Sequence, residues 1–404
     1  MSKLMTSPKR VEVLDYLRGA AIFSVLMAHC LFTAYGGTLL PWQGWFRSFS
    51  VRPSFLVLFP FSLGTAGVAI FFIVSGFCIH ASYSQSRNWR NFYISRFFRI
   101  YPPYFVAMLA FAFLFPRWVG HLSFNDDKDW QQLFTHLLLV HNWSPQYLGG
   151  INGSFWSLAI EVQLYLIYPL LLWLVARFDW RNTMFMVAAI EILLRMGTSI
   201  AECSGQTDAA WAKLWWHAAY SPFGYWCSWA LGAWIGDAYL NNRPLPLLKQ
   251  PLTPWLVLTV ASDLVKPLES FFFLLAAVSV AIATSKLLNG SRPGFPVPAF
   301  VRNFFKQLGE WSYGIYLVHQ PLLYLVFYPA MGWISFISVS FSDYVSQPPY
   351  MNQYGLIFRF LIALILLLIV IPLGVLWFRA VEQPSISWGK KFKNRLKARN
   401  DAAT

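Results

Sequence analysis

LIFRFLIALILLLIVIPLGVLWFR, at residues 356–379, is a run of 24 residues with charges only at Arg359 and Arg379. A helix of about 20 mostly apolar residues is long enough to cross the hydrocarbon core of a bilayer, so this run predicts a membrane-spanning helix. Nine further candidates lie at residues 14–35, 61–82, 97–116, 154–176, 182–200, 217–240, 252–266, 268–288 and 308–330. We predict an all-α, polytopic integral membrane protein of about ten spans. The 252–266 candidate is short, and eight spans remain the alternative, since an even number keeps both termini on one side.

Composition supports a membrane protein. Hydrophobic residues make up 57% of the 404 residues and charged residues 12%, which is about half the charged fraction of a soluble protein. The net charge of +14 does not indicate nucleic acid, because the basic residues gather in short loops and near the C-terminus, where they suit lipid headgroups. We divide the chain into a transmembrane domain at 1–380 and a basic cytoplasmic tail at 381–404. The expected partner is the lipid bilayer.

The distribution of Lys and Arg predicts the orientation. If the N-terminus is cytoplasmic and ten spans alternate, 22 of the 31 Lys and Arg residues lie inside and 7 outside, with Arg18 and Arg195 within spans. Cytoplasmic loops carry such an excess, so we predict that both termini are inside. The first apolar run follows basic residues as a signal peptide does, but Asp15 and Arg18 interrupt it. We interpret it as a retained span.

Arg18 and His29 are ionisable residues of the first predicted span, and such residues within a membrane usually have a function. They stand eleven residues apart, which puts them on one face of a helix and about 16 Å apart along its axis. We expect that face to turn towards a cavity that opens to the cytoplasm. The alternative is a histidine satisfied within the core and an arginine that reaches the interface.

Arg96 and Arg99 occur in RFFRIYPPY at the predicted cytoplasmic end of the third span. At positions i and i+3 their guanidinium groups are neighbours on one helix face. Planar and permanently charged guanidinium groups suit phosphate. The alternative is ordinary anchoring of the span at a cytoplasmic surface.

Glu161 and His319 are the remaining candidates within the spans. Glu161 lies seven residues past Ser154, about 10 Å below the predicted outer surface, and we expect it near His29, where a carboxylate would orient the imidazole. His319 is predicted near mid-depth. Its neighbour Pro321 predicts a local break that frees backbone groups in a cavity.

Other features of the sequence indicate structure. Glu191 and Arg195 are predicted to form a structural ion pair at i, i+4, and GVAIFFIVSGF at 67–77 predicts close helix packing. The four cysteines show no metal or disulfide spacing and no metal-ligand cluster is visible, so we expect no metal. No role is predicted for His80, His121, His136, His141 and His217.

Six motifs taken together resemble acyltransferase family 3, whose members decorate bacterial surface glycans. They are LDYLRGAAIFSVLMAHC (14–30), GVAIFFIVSGFCI (67–79), YISRFFRIYPPYF (93–105), GSFWSLAIEVQLYLIYP (153–169), LGEWSYGIYLVHQPL (308–322) and VEQPSISW (381–388). Arg18 and His29 match the family's pattern of an arginine, ten residues and a histidine, and Arg96 and Arg99 match its RxxR pattern. The resemblance implies a single bundle of about ten membrane helices, here in a stand-alone form without an esterase-like domain.

The reaction that the resemblance implies is transfer of an acyl group, usually acetyl, from cytoplasmic acyl-CoA to a hydroxyl of an extracytoplasmic sugar. The expected acceptor is O-antigen, exopolysaccharide or lipo-oligosaccharide, and the expected location is the cell inner membrane. We expect Arg18, Arg96 and Arg99 to bind acetyl-CoA and His29 to act as the base, with Glu161 and Arg18 as the other catalytic residues. Glu161, Trp156 and His319 would contact the acceptor. A covalent acyl intermediate stays open for the mechanism, and a transporter or flippase stays open for the function.

Overall fold

A computed structural model describes residues 11–35, 59–115, 122–124, 126–206, 208–290, 297–337 and 353–401. Within these ranges the regular structure is helical and contains no β-strand, which confirms the all-α prediction. The main helices are α1 (Glu12–Tyr35), α2 (Ala66–Ser86), α3 (Trp89–Phe113), α4 (Asp127–Leu137), α5 (Phe155–Ser204), α6 (Ala210–Ala219), α7 (Trp226–Leu240), α8 (Leu252–Leu264), α9 (Phe272–Leu288), α10 (Ala299–Ile337), α11 (Gln353–Trp377) and α12 (Gln383–Asp401).

Five helical stretches of the described chain are long and apolar enough to cross a membrane. They are Glu12–Ala34, Leu63–Ser86, Phe155–Ser204, Pro267–Leu288 and Arg359–Arg399. The chain is therefore a multi-pass membrane protein. The predicted span at 252–266 corresponds to α8, which is apolar but has only 13 residues. The total of about ten spans and the cytoplasmic position of the termini stay predictions.

Helix α5 joins two of the predicted spans, 154–176 and 182–200, in one stretch of 50 residues. At 1.5 Å per residue a straight helix of this length would measure about 75 Å, more than twice the hydrocarbon thickness. The chain departs from helical geometry at Asp179 (φ 67°, ψ 171°). Asp179 Oδ1 then accepts a hydrogen bond of 2.9 Å from the backbone N–H of Asn182, as a helix N-cap does. The boundary between the two predicted spans is thus present as a capped kink.

Helices α1 and α10 touch through their backbones. A Cβ atom at Gly19 would lie 1.9 Å from a backbone oxygen of α10, and one at Gly309 would lie 2.1 Å from a backbone oxygen of α1. Small residues allow membrane helices this close approach. His29 lies ten residues after Gly19, and His319 lies ten residues after Gly309. The same rise of about 15 Å along each helix therefore brings the two histidines to one level.

The predicted close packing around GVAIFFIVSGF is confirmed in the contact of α2 with α7. A Cβ atom at Gly76 would lie 2.2 Å from the carbonyl oxygen of Trp229, and one at Gly232 would lie 2.0 Å from that of Ile73. The two helices therefore require glycine at both positions.

The predicted ion pair between Glu191 and Arg195 is also confirmed. Arg195 Nη2 lies 2.8 Å from Glu191 Oε1, and both side chains are buried. Arg195 also donates to the carbonyls of Ser270 and Gly224, while Ser228 donates to Glu191. The pair thus ties α5 to α7 and to the segment ahead of α9.

The segment predicted as a basic tail is helical through most of its length. A π-helical turn, Phe378–Glu382, connects α11 to α12. Helix α12 does not stand apart from the bundle, because it packs along α3.

Candidate active site

His29 and His319 form a hydrogen-bonded pair between α1 and α10. His29 Nδ1 lies 2.7 Å from His319 Nε2. The two rings are nearly parallel, with centroids 5.0 Å apart and an interplanar angle of 12°. His319 is fully buried, whereas His29 is partly exposed. The sequence identified both histidines but did not predict their contact.

The hydrogen bonds fix which nitrogens carry protons in the neutral pair. His319 Nδ1 lies 2.8 Å from the carbonyl oxygen of Tyr316, which can only accept, so we assign the proton of His319 to Nδ1. His319 Nε2 is then an acceptor, and His29 donates to it from Nδ1. The remaining nitrogen, His29 Nε2, keeps its lone pair and has no hydrogen-bond partner among the described residues. It is the available base of the pair.

Pro321 helps to place the loop that precedes α5 beside these histidines. Proline lacks an N–H, so the carbonyl four residues earlier, that of Leu317, loses its helical partner. Asn152 Nδ2 donates to this carbonyl at 2.9 Å. Helix α10 nevertheless runs through Pro321 without interruption, so the predicted break is wrong, although a backbone group is freed as expected.

Ser154 and Tyr316 lie next to the pair. Ser154 Oγ is 3.3 Å from His319 Nε2, and the Tyr316 ring centroid is 5.4 Å from that of His319. The Tyr316 hydroxyl donates to the carbonyl of Ser154 at 2.8 Å and lies 2.5 Å from Ser157 Oγ. These contacts hold the start of α5 at the level of the histidines.

A central cavity of about 90 Å³ lies among α1, α2, α3, α5 and α10. This volume is enough for a few water molecules. Its lining includes Arg18, Arg96, Arg99, Glu161, Tyr165 and Tyr316. The structure therefore brings the three predicted arginines and the predicted carboxylate to one space.

The arginines of this cavity have few protein partners. Arg18 Nη2 donates to Cys78 Sγ at 3.2 Å, and Arg18 Nη1 lies 3.9 Å from Asp15 Oδ1. Arg96 Nη2 donates to Ser82 Oγ at 3.1 Å. Arg96 Nε is buried without a partner, and Arg99 has no hydrogen bond or ion pair among the described residues. Planar guanidinium groups held in this way suit an anion with several acceptor oxygens, as phosphate has.

Glu161 does not pair with His29 as expected. Its hydrogen-bond donor is the Tyr165 hydroxyl, and it lines the cavity of the arginines. The reason is its position along α5: Ser154 already lies at the level of His319, so the seven residues to Glu161 carry the carboxylate about 10 Å away from the histidines. The orientation of His29 by Glu161 is corrected to orientation by His319.

The expected tunnel is not continuous between Arg18 and His29. The cavity that Arg18 lines does not include His29 or His319 among its described lining residues. Tyr316 lines the cavity and also contacts His319, so its side chain lies between the cavity and His319.

Trp156 lies away from the cavity, in an aromatic cluster. Its ring centroid is 6.0 Å from that of Tyr220, 5.7 Å from that of Tyr225 and 5.9 Å from that of Phe273. The described residues contain no group of three or more His, Cys, Asp or Glu side chains that could hold a metal.

The motifs of the sequence did not point to Asn152, Ser154, Tyr165 or Tyr316 as site residues. One signal was available for Asn152: a proline inside a span leaves the carbonyl of residue i−4 without a partner, so some donor must reach Leu317. The identity of that donor depends on tertiary structure.

The chain matches one protein family over most of its length and is similar to several curated proteins. The model of the family described as "Acyltransferase domain" matches residues 11–377. The chain is similar to Acyltransferase MdmB of Streptomyces mycarofaciens, with 27% identity over 64% of this chain and 68% of the relative. It is similar to Nodulation protein 10 of Rhizobium leguminosarum bv. viciae, with 24% identity over 69% of this chain and 76% of the relative.

A third relative is a longer protein. The Putative peptidoglycan O-acetyltransferase YrhL of Bacillus subtilis is 24% identical over 77% of this chain, and the match covers 48% of the relative. No solved structure matches the chain.

Proposed function

This chain belongs to the acyltransferase family whose model covers residues 11–377, and on that premise we propose that it moves an acetyl group from cytoplasmic acetyl-CoA to an extracytoplasmic glycan or glycolipid. The chain is an O-acyltransferase. The donor, the acceptor and the location in the inner membrane are our proposal. A relative named as a peptidoglycan O-acetyltransferase supports a sugar hydroxyl as the acceptor.

The observation that carries the proposal is the charge of the central cavity. Its described lining residues include three arginines and one carboxylate, Glu161. Asp15 pairs with Arg18 from outside the lining, while Arg96 and Arg99 have donors without protein partners among the described residues. Like charges gathered in a space of low dielectric repel one another strongly. A phosphate-bearing ligand would relieve this repulsion, and acyl-CoA joins phosphates to an activated acyl group.

The histidine pair supplies the base for the transfer. His29 Nε2 would take the proton of the acceptor hydroxyl as its oxygen attacks the thioester carbonyl. The new C–O bond forms, the C–S bond breaks, and the imidazolium returns the proton to the departing thiolate. His319 would hold the His29 ring in the required tautomer and orientation through the 2.7 Å hydrogen bond, as the third group of a catalytic triad does.

A covalent intermediate is the alternative order of events. His29 Nε2 would then attack the thioester carbonyl, so that an N–C bond forms and the C–S bond breaks to release the thiolate of CoA. The acceptor oxygen would next displace the acyl group from the imidazole, and the hydroxyl proton would pass to the thiolate. Both orders need His29 Nε2 free and His319 as its partner.

Access to His29 from the arginines requires Tyr316 to move. Its hydroxyl is held by contacts with Ser154 and Ser157 at the start of α5. A rotation of this one side chain would join the cavity of the arginines to the histidines. We propose that entry of the acyl arm displaces it.

The test uses surface glycans and a purified enzyme. Glycans from cells with the gene should carry an acetyl mass that is missing from cells without it, and a His29→Ala gene should not restore it. Purified protein in vesicles should transfer radiolabelled acetyl from acetyl-CoA to the same glycan. Identical glycan masses in all three strains, with His29→Ala protein present at normal amounts, would exclude this function.

A further inference from the structure

A second cavity lies beside α12, outside the site described above. Its volume is about 600 Å³. It is formed by the adjoining ends of α2 and α3 and by one face of α12. Its lining includes Ser82, Asn88, Arg90, Ser95, Lys393 and Lys397.

The position of α12 is set by α3. Pro102 of α3 cannot donate to the carbonyl of Phe98, and Ser385 Oγ donates to this carbonyl instead. A Cβ atom at Gly389 would lie 2.6 Å from Phe98 Cβ, so only glycine allows the two helices to come this close. The rings of Phe98 and Phe392 also meet, with centroids 5.7 Å apart. The basic helix is therefore a fixed wall of the cavity.

The face of α12 that lines this cavity is positively charged. Lys393 and Lys397 stand at i and i+4 on the face of α12 that lines the cavity. Lys393 Nζ donates to Ser95 Oγ at 2.8 Å, and the positive charges of Arg96 and Lys390 both act on it. Among the described lining residues none is acidic. Such a cavity attracts an anion with several phosphate oxygens.

The two cavities meet at Arg96. Its guanidinium group lines the central cavity, and its Nη2 donates to Ser82 Oγ, a residue that lines the second cavity. A ligand with a phosphate-rich head and a thin acyl arm could therefore occupy both spaces and pass Arg96 between them.

We propose that the second cavity binds the phosphorylated adenosine part of acetyl-CoA, with Lys393 and Lys397 of α12 on its phosphates. The pantetheine arm, with the phosphate that joins it to the adenosine part, then enters the central cavity past Arg96, so this phosphate meets the arginines there. This inference rests on the proposed function, because it assigns the other end of the same donor. It gives the basic C-terminal helix a role in donor binding instead of membrane attachment alone.

The test compares two donors and two charge-matched variants. The cavity variant is Lys393→Gln with Lys397→Gln. The control is Lys391→Gln with Arg395→Gln, which removes the same charge from the opposite face of α12. The donors are acetyl-CoA and acetyl-phosphopantetheine, which lacks the adenosine part. We expect the cavity variant to raise the KM for acetyl-CoA roughly tenfold or more, since a lost charge-assisted contact has this magnitude. The KM for acetyl-phosphopantetheine should stay unchanged, and the control should change neither.

Several results would overturn the inference. One is an equal rise in KM with both donors, and another is an equal rise in the control variant. A third is a defect of the cavity variant that appears only in vesicles with phosphatidylglycerol and not in pure phosphatidylcholine, because the cavity would then hold a lipid headgroup.

Failure of the proposed function itself would look different, since the wild-type protein would then transfer acetyl from neither donor. Binding of adenosine bisphosphate, measured by calorimetry, still tests the cavity in that case. Weaker binding by the cavity variant than by the control supports the inference, and equal binding by both overturns it.

Discussion

At the scale of the residue, the partner of His29 is a neutral ring where a catalytic triad commonly has a carboxylate. His319 fixes the tautomer of His29 through a 2.7 Å hydrogen bond without adding a negative charge to a membrane interior, where an unpaired charge is costly. The carbonyl of Tyr316 in turn fixes the tautomer of His319. The last acceptor is a backbone carbonyl, so α10 itself sets the orientation of the proposed base, His29.

His319→Ala should lower kcat by about a hundredfold or more, because general-base catalysis contributes at least this much and depends on orientation. The KM for acetyl-CoA should change little. His319→Gln offers an acceptor oxygen to His29 and should recover part of kcat. A purely structural role would instead lower the amount of folded protein in both variants and leave kcat per folded molecule unchanged, which active-site titration would reveal.

Arg99 should act through the donor. Arg99→Gln is expected to raise the apparent KM for acetyl-CoA about tenfold with a smaller change in kcat, since a charge-assisted contact to phosphate is lost. Arg99→Lys keeps the charge but loses the planar guanidinium group, so its KM for acetyl-CoA should lie between those of the wild type and Arg99→Gln. Arg177→Gln, outside the described lining of either cavity, is the control. If CoA binds equally to wild type and to a variant lacking both Arg96 and Arg99, these residues only anchor the span.

His136 should make the fold sensitive to acid. It is fully buried in α4, outside the candidate spans, and its Nε2 has no hydrogen-bond partner among the described residues. Burial lowers the pKa of His136 from 6.5 to about 4. The unfolded chain therefore takes up the proton first, so stability is complete above about pH 6.5 and falls as the pH drops towards 4, by up to about 3 kcal/mol. Melting temperatures in detergent between pH 7 and 4.5 should fall less steeply for His136→Asn, and equal slopes would contradict this account.

At the scale of the element, two prolines within helices free carbonyls that other elements then bind. Asn152 reaches the carbonyl that Pro321 leaves, and Ser385 reaches the one that Pro102 leaves. The sequence alone could predict the helices, their close glycine contacts and the freed carbonyls, because these follow from hydropathy and from the covalent structure of glycine and proline. It could not predict the donors, since Asn152 and Leu317 are 165 residues apart.

A double-mutant cycle should isolate the contact between Asn152 and Leu317. Asn152→Ala leaves a buried carbonyl without a donor and should destabilise the protein by about 1–3 kcal/mol. In a Pro321→Ala background the new N–H of residue 321 can satisfy that carbonyl, so the same Asn152→Ala change should cost less. Thermal unfolding of the four proteins measures the coupling energy. If the losses of unfolding free energy from Asn152→Ala and Pro321→Ala are additive, the carbonyl of Leu317 does not hold the loop that precedes α5.

At the scale of the whole molecule, hydropathy predicted which segments lie in the membrane but not the depth of each side chain. Glu161 and His29 were both placed by counting from the predicted ends of their helices. The start of α5, however, lies inside the bundle against Tyr316 and His319, and Glu161 is shifted with it towards the arginines. The depth of a side chain in the membrane depends on how its helix packs against the others, and the sequence of one span does not contain that information.

The direction of transfer depends on topology, which native and introduced thiols can measure. Cys203 is an exposed free cysteine at the end of α5, whereas Cys30 and Cys227 are buried. The excess of Lys and Arg predicts Cys203 on the outer side with the loop 117–150 and the loop 331–353; residues 338–352 of the latter lie outside the described ranges. An impermeant maleimide should therefore label Cys203 in right-side-out vesicles and leave a Cys203→Ser protein unlabelled.

A cysteine introduced in α12 provides a labelling site for the opposite side of the membrane. Ala398→Cys, in the Cys203→Ser background, places a thiol on an exposed position of the basic helix and should react only in inside-out vesicles. The reason is electrostatic. Helix α12 carries six basic residues from Lys390 to Arg399, and such clusters stay on the cytoplasmic side because they bind anionic lipid and resist translocation. The arginines of α3, against which α12 packs, must then lie at the same side, where acetyl-CoA is made. Reaction of Ala398→Cys from the outside would put both cavities at the outer face and exclude a cytoplasmic donor, even if the chain still transfers acyl groups.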